Sequence, residues 1–155
     1  MWNKNKSVIL SIVVCFVFVT ILTLGLFLGP WAVKQWFCVF RNWDPNGDAI
    51  RHMVSLFCVC FYPCSGFAYV TLYSLLRLLF YIRQGQVFIV ENVRYLQRVS
   101  WCCFAVAAIT TVGGLQYMPY FFTAVAAAFV GLMLRVVKNV IENAVEIKKE
   151  NELTI

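Results

Sequence analysis

The sequence predicts an all-α, polytopic membrane protein with four transmembrane helices, the fourth extended into a cytoplasmic amphipathic helix. Three observations carry that prediction. The 155 residues are 62% hydrophobic and only 13% charged, whereas a soluble domain is about a quarter charged. The apolar residues gather into charge-free runs long enough to cross a bilayer. The 13 basic residues fall unevenly between the connections. At this length the chain reads as one domain, residues 1–155. The net charge of +6 fits membrane orientation and anionic headgroups better than nucleic acid, so no direct nucleic-acid binding is expected.

Span one is expected at about residues 7–28, with no charge. It is too long for a signal-peptide core and reads as a retained anchor, ended by Gly29-Pro30. Span two is expected at about 53–76. The turn signal Asp44-Pro45-Asn46-Gly47-Asp48 precedes it, with Asp48 as N-cap. Pro63 should kink this helix, and Gly66 adds slack. Trp101 to Leu134 holds no charge and is too long for one span. It divides at Gly113-Gly114 and Met118-Pro119 into span three, about 99–117, and span four, about 120–134. These form a tight antiparallel hairpin. Ala124, Ala128 and Gly131, and Ala127 with Gly131, offer small residues at helical spacing for close approach.

The polar segments carry the remaining pattern. Between spans one and two, Trp36, Phe37, Phe40 and Trp43 share one helical side, with Lys34 and Arg41 opposite. That pattern predicts a helix in the headgroup plane, serving as an interfacial anchor or as a lid. Gly85 should break the continuation of span two. Val90 to Arg98 then reads as a helix entering span three, with Glu91 one turn before Arg94, and with Arg94 and Arg98 on one face. In the tail, residues 135–150, Val136, Val137, Val140, Ile141, Ala144 and Ile147 share a face; Lys138, Glu142 and Glu146 lie on the other. The apolar stripe needs cover from the inner-connection helix, a second copy or the membrane surface. The first is preferred.

No chemistry is visible. No ionisable residue falls within a span, which argues against proton relays and ion coupling. His52, the single histidine, has no nucleophile patterned beside it. Asp44 to Asp48 resembles the start of a calcium loop, but Ala49 and Ser55 stand where glycine and glutamate are required. The seven cysteines, Cys15, Cys38, Cys58, Cys60, Cys64, Cys102 and Cys103, lie mostly in apolar runs and read as packing residues. No metal site, cofactor or enzymatic activity is expected. Ser55, Tyr62, Tyr69 and Tyr73 recur at near-helical spacing along span two. They line either a small polar cavity, as in a small-molecule or lipid binder or a passive transporter, or an interhelical hydrogen-bond network with partners such as Thr20 and Thr23.

Two stretches carry a family resemblance. One is Gly85-Gln86-Val87-Phe88 leading into Glu91-Asn92-Val93-Arg94-Tyr95-Leu96; the other runs from Leu134-Arg135-Val136-Val137-Lys138 to the closing Leu153-Thr154-Ile155. With four spans at this length they resemble the bacterial domain-of-unknown-function family 2975. Ile89-Val90 departs from the acidic residue or threonine common after the Phe88 position. The resemblance implies a cytoplasmic-membrane protein, often encoded beside a Cro/CI-type DNA-binding regulator. It brings no catalytic residue.

The functional expectation is therefore an accessory or regulatory protein of the bacterial cytoplasmic membrane. Besides the lipid bilayer, its partners would be such a regulator and a second copy of the chain. Glu91, Arg94, Arg98, Lys138, Glu142 and Glu146 are the candidate partner-binding residues. Orientation follows from charge. Lys4, Lys6, Arg77, Arg83, Arg94, Arg98, Arg135, Lys138, Lys148 and Lys149 fall on one side, and Lys34, Arg41 and Arg51 on the other. Ten against three predicts both termini in the cytoplasm. A reporter fused after Ile155 should read as cytoplasmic; an external signal overturns this topology.

Overall fold

The computed structural model of the chain describes residues 4–42, 44, 46–85 and 89–153. Trp43, Pro45, Gln86-Val87-Phe88 and Thr154-Ile155 lie outside them, as do the side chains of residues 4–8 and 152–153. Four helices account for nearly everything described: α1 (Lys4–Arg41), α2 (Asp48–Arg83), α3 (Val90–Gly114) and α4 (Pro119–Leu153). There is no strand among the described residues. All four are long and apolar enough to cross a membrane. Even α3, at 25 residues, exceeds a hydrocarbon core of about 30 Å at about 1.5 Å per residue.

The helices pack in series. α1 lies on α2, α2 on α3, and α3 on α4; no other pair of these helices comes together along the backbone. The layer is thin, and large apolar side chains such as Phe18, Phe27, Val59, Phe122 and Phe129 point outward. Such exposure suits lipid as the solvent and would be costly in water. Chain direction places the start of α1, the α2–α3 connection and the end of α4 at one end, termed the basic end here. The α1–α2 and α3–α4 turns form the hairpin end.

α1 corrects one expectation. Gly29-Pro30 does not end span one, because α1 runs unbroken through Pro30 to Arg41. Proline removes an N–H and so frees the carbonyl four residues back, here that of Leu26. The hydroxyl of Tyr62 on α2 donates to that carbonyl at 3.4 Å. Gly29 has its own role. A Cβ there would stand 3.1 Å from the Phe57 ring, and one at Gly25 would stand 3.2 Å from Phe61. Phe57 and Phe61 stack at 4.8 Å and fill the space over the two glycines. Gly25 and Gly29 are four apart, the spacing that lets membrane helices approach closely. The aromatic segment beyond Pro30 is consequently the upright end of α1 and not a separate in-plane helix. Phe37 is 7% exposed and meets Tyr117 edge-on at 6.2 Å. Trp36 and Phe40 pair at 4.2 Å on the exposed side.

The start of α2 brings a second correction. Gly47, with extended backbone and no side-chain bond, holds the N-cap position expected for Asp48. Asp48 is the first helical residue, where its charge still favours the helix N-terminus. Asp44 organises the turn instead. Its carboxylate accepts the Asn46 N–H at 3.1 Å and its carbonyl accepts the Gly47 N–H at 3.0 Å. α2 then continues through Pro63 and stops at Arg83, and Gly85 takes φ +78°, a conformation that favours glycine.

α3 and α4 make the closest seam. The turn falls between Gly114 and Pro119. Gly114 lies against the backbone of Phe121, which a Cβ would approach to 3.0 Å. Ala124 and Gly131 are buried, and Ala127 and Ala128 are half-buried on the same face. Ser100 Oγ donates across the seam to the Gly131 carbonyl at 2.8 Å, while a Cβ at Gly131 would meet Cys103 at 3.1 Å and the Ser100 carbonyl at 3.4 Å. Cys60 on α2 fits against Gly113, at 2.8 Å from a Cβ position. Gly66, by contrast, faces open space. Gly131→Leu should therefore cost about 1–3 kcal/mol through overpacking and lower the unfolding temperature in detergent. Gly66→Ala should be neutral or stabilising by up to about 1 kcal/mol. Equal effects at the two sites would contradict the seam.

Candidate functional site

The tyrosine row of α2 is engaged in separate hydrogen bonds. Tyr62 serves the Leu26 carbonyl, and Tyr69 shares a hydrogen bond of 2.8 Å with Thr23. Tyr73 accepts from Arg77 Nε at 3.1 Å. Ser55 is exposed. None of the four lines the cavities described below.

At the hairpin end, a cavity of about 180 Å³ lies between α1, α2 and the start of α4. Trp36, Phe37, Phe57, Tyr117 and Tyr120 line it. It is an aromatic pocket with no Asp, Glu, Lys, Arg or His in its lining.

The basic end is more organised. Arg77, Arg98 and Arg135 are the first charges met on leaving the charge-free runs of α2, α3 and α4. Each guanidinium lies over an aromatic ring: Arg77 over Tyr73 at 5.6 Å, Arg98 over Tyr95 at 5.7 Å and Arg135 over Trp101 at 5.5 Å. Such pairs hold a cation in place without neutralising it. An ion pair joins Lys138 to Glu142 along α4. The three helices thus share a tier of positive charge set on aromatic supports.

Beside this tier, α2, α3 and α4 enclose an apolar groove of about 230 Å³. Leu78 and Ile82 come from α2, Tyr95 and Leu96 from α3, and Val137 and Ile141 from α4. Ser74 and Asn92 lie at its floor, 0% and 1% exposed. Ser74 returns its hydroxyl to the Val70 carbonyl at 2.8 Å. The tail stripe is therefore divided. Val137 and Ile141 line the groove opposite the start of α3, yet only Ile141 is half-buried; Val136, Val137, Val140 and Ile147 remain exposed, Val140 by 64%. The expected partner-binding residues all lie at this end. Glu91, Arg94 and Arg98 are exposed on α3, and Glu142 and Glu146 on α4. No ion pair joins the α3 set to the α4 set among the described residues. The groove and the aromatic supports were missed in the sequence, because they need three helices in register. The spacing of Tyr73 to Arg77 and of Tyr95 to Arg98 was the available signal.

Fold and site together define a polytopic α-helical membrane protein whose patterned polar surface gathers at one end. Residues 39–155 match the family described as "Protein of unknown function (DUF2975)", and the chain belongs to that family. It is similar to the "Uncharacterized membrane protein YoaS" of Bacillus subtilis (strain 168), with 24% identity over 170 residues, covering 99% of each chain. No solved structure matches the chain.

Proposed function

We propose that the protein is an accessory or regulatory component of the bacterial cytoplasmic membrane, without catalytic activity, that engages a cytoplasmic protein through its basic end. The carrying observation is the apolar groove between Leu78, Ile82, Leu96, Val137 and Ile141. It straddles the level at which charge begins and extends beyond it, where lipid tails no longer provide cover. The excess of basic residues at that end supports a cytoplasmic position for both termini. A partner presenting an apolar helix face fits such a groove, with Arg94, Arg98, Glu91 and Glu146 as polar surroundings. A DNA-binding regulator of the Cro/CI type, encoded nearby, is the partner that the family resemblance implies. The cavity-based alternative of a passive transporter is less supported, because Tyr62 and Tyr69 are committed to α1.

The test is co-purification of the full chain with that regulator from membranes. Recovery of the regulator is expected with the native chain. Ile141→Glu, or charge reversal at both Arg94 and Arg98, should lower recovery roughly tenfold, equivalent to about 1.4 kcal/mol. Phe122→Leu at the hairpin end should leave it unchanged. No recovery, or equal recovery with every variant, overturns the proposal.

A further inference from the structure

A second feature of the basic end stands apart from the groove. On the α3–α4 seam, Gln97, Ser100, Trp101, Arg135 and Lys138 line a small pocket of about 40 Å³. Its position is informative. Ser100 and Trp101 are in the first turn of the charge-free run of α3, and Arg135 and Lys138 directly follow that of α4. The pocket therefore lies at the depth where hydrocarbon gives way to headgroups. Trp101 is half exposed there, as suits an interfacial indole. It meets Phe104 edge-on at 6.4 Å, which steadies the ring beneath Arg135.

The donors are suited to an anion. Arg135 has a ring as its partner and no carboxylate among the described residues. A guanidinium held over an indole at 5.5 Å retains N–H groups that can donate to a further partner. Lys138 is half-buried and pairs with Glu142, but an ammonium has three donors and commits one of them there. Gln97 adds an amide from α3. Ser100 closes the floor, with its hydroxyl committed to the Gly131 carbonyl. Two cations and an amide thus converge on a small site at headgroup depth.

We infer that this pocket binds a phosphate group bearing net negative charge, carried by an anionic phospholipid headgroup or supplied as a free phosphate. Arg135 makes the main contact, Lys138 the second, and Trp101 positions Arg135. The inference is independent of the partner proposed above.

The experiment uses the full chain in non-ionic detergent, with native mass spectrometry reading bound phosphatidylglycerol against phosphatidylcholine of equal acyl length. Preference for the anionic lipid by about tenfold is expected. A basic residue near a membrane surface contributes about fivefold, so Arg135→Gln should reduce that preference by about that factor, and Lys138→Gln by somewhat less. Glu142→Gln frees Lys138 and should raise it about twofold. Lys149→Gln removes the same charge farther along the tail and should change nothing. A parallel titration with inorganic phosphate separates the two sources. Binding of phosphate alone that is lost in Arg135→Gln supports a soluble ligand, and binding that requires acyl chains supports a lipid. Absence of any preference, or equal losses in Arg135→Gln and Lys149→Gln, overturns the inference.

Discussion

Hydrocarbon offers no hydrogen bonds, so every backbone N–H and C=O within it must find a partner in the protein. Most features of this chain follow from that constraint. It sets the secondary structure, since four uninterrupted helices satisfy their own backbones. It also decides what the hydroxyl groups do. Thr20, Thr23, Ser65, Ser74, Thr110, Thr111 and Thr123 all return their hydroxyls to carbonyls three or four residues back in the same helix. These hydroxyls are committed locally rather than offered to a passage between the helices. The Leu26 carbonyl is the instructive exception. Its normal donor is missing because Pro30 has none, and Tyr62 supplies a replacement from the neighbouring helix.

That substitution explains why part of the fold was legible in the sequence and part was not. The charge-free runs, the break at Gly113-Gly114 and Pro119, and the stop near Gly85 depend on local chemistry, and residue order exposes them. At Gly29-Pro30 the helix continues and the carbonyl left open by Pro30 accepts a hydroxyl contributed from α2, whereas a local reading places a helix end there. The Gly25 and Gly29 spacing was visible, yet the phenylalanines that fill it are more than two dozen residues away. At the start of α2, two acidic residues compete for the capping role, and the turn geometry gives Asp44 the organising part.

The candidate site divides in the same way. Charge counting located the informative end of the molecule, and helical periodicity identified the two faces of the tail. What covers the apolar face depends on how far α3 and α4 overlap. The buried Ser100–Gly131 contact fixes that overlap. It brings Val137 and Ile141 beside Tyr95 and Leu96. The same register sets Trp101 beneath Arg135.

The serial packing also gives the layer edges of unequal height. In α1 the charge-free run extends from residue 7 to residue 33, roughly 40 Å of helix. In α4 it extends from 119 to 134, roughly 24 Å. Local thinning beside α4, snorkelling of Arg135 and tilting of α1 are the ways in which a bilayer can match both lengths. α1 is held to α2 by the glycine-and-phenylalanine contacts and by the Tyr62 and Tyr69 hydroxyls, and it meets the α3–α4 turn where Phe37 packs on Tyr117. The two edges of the helical layer thus ask different apolar thicknesses of the same bilayer, and the difference, roughly 16 Å of helix, is the mismatch that the membrane and the side chains share.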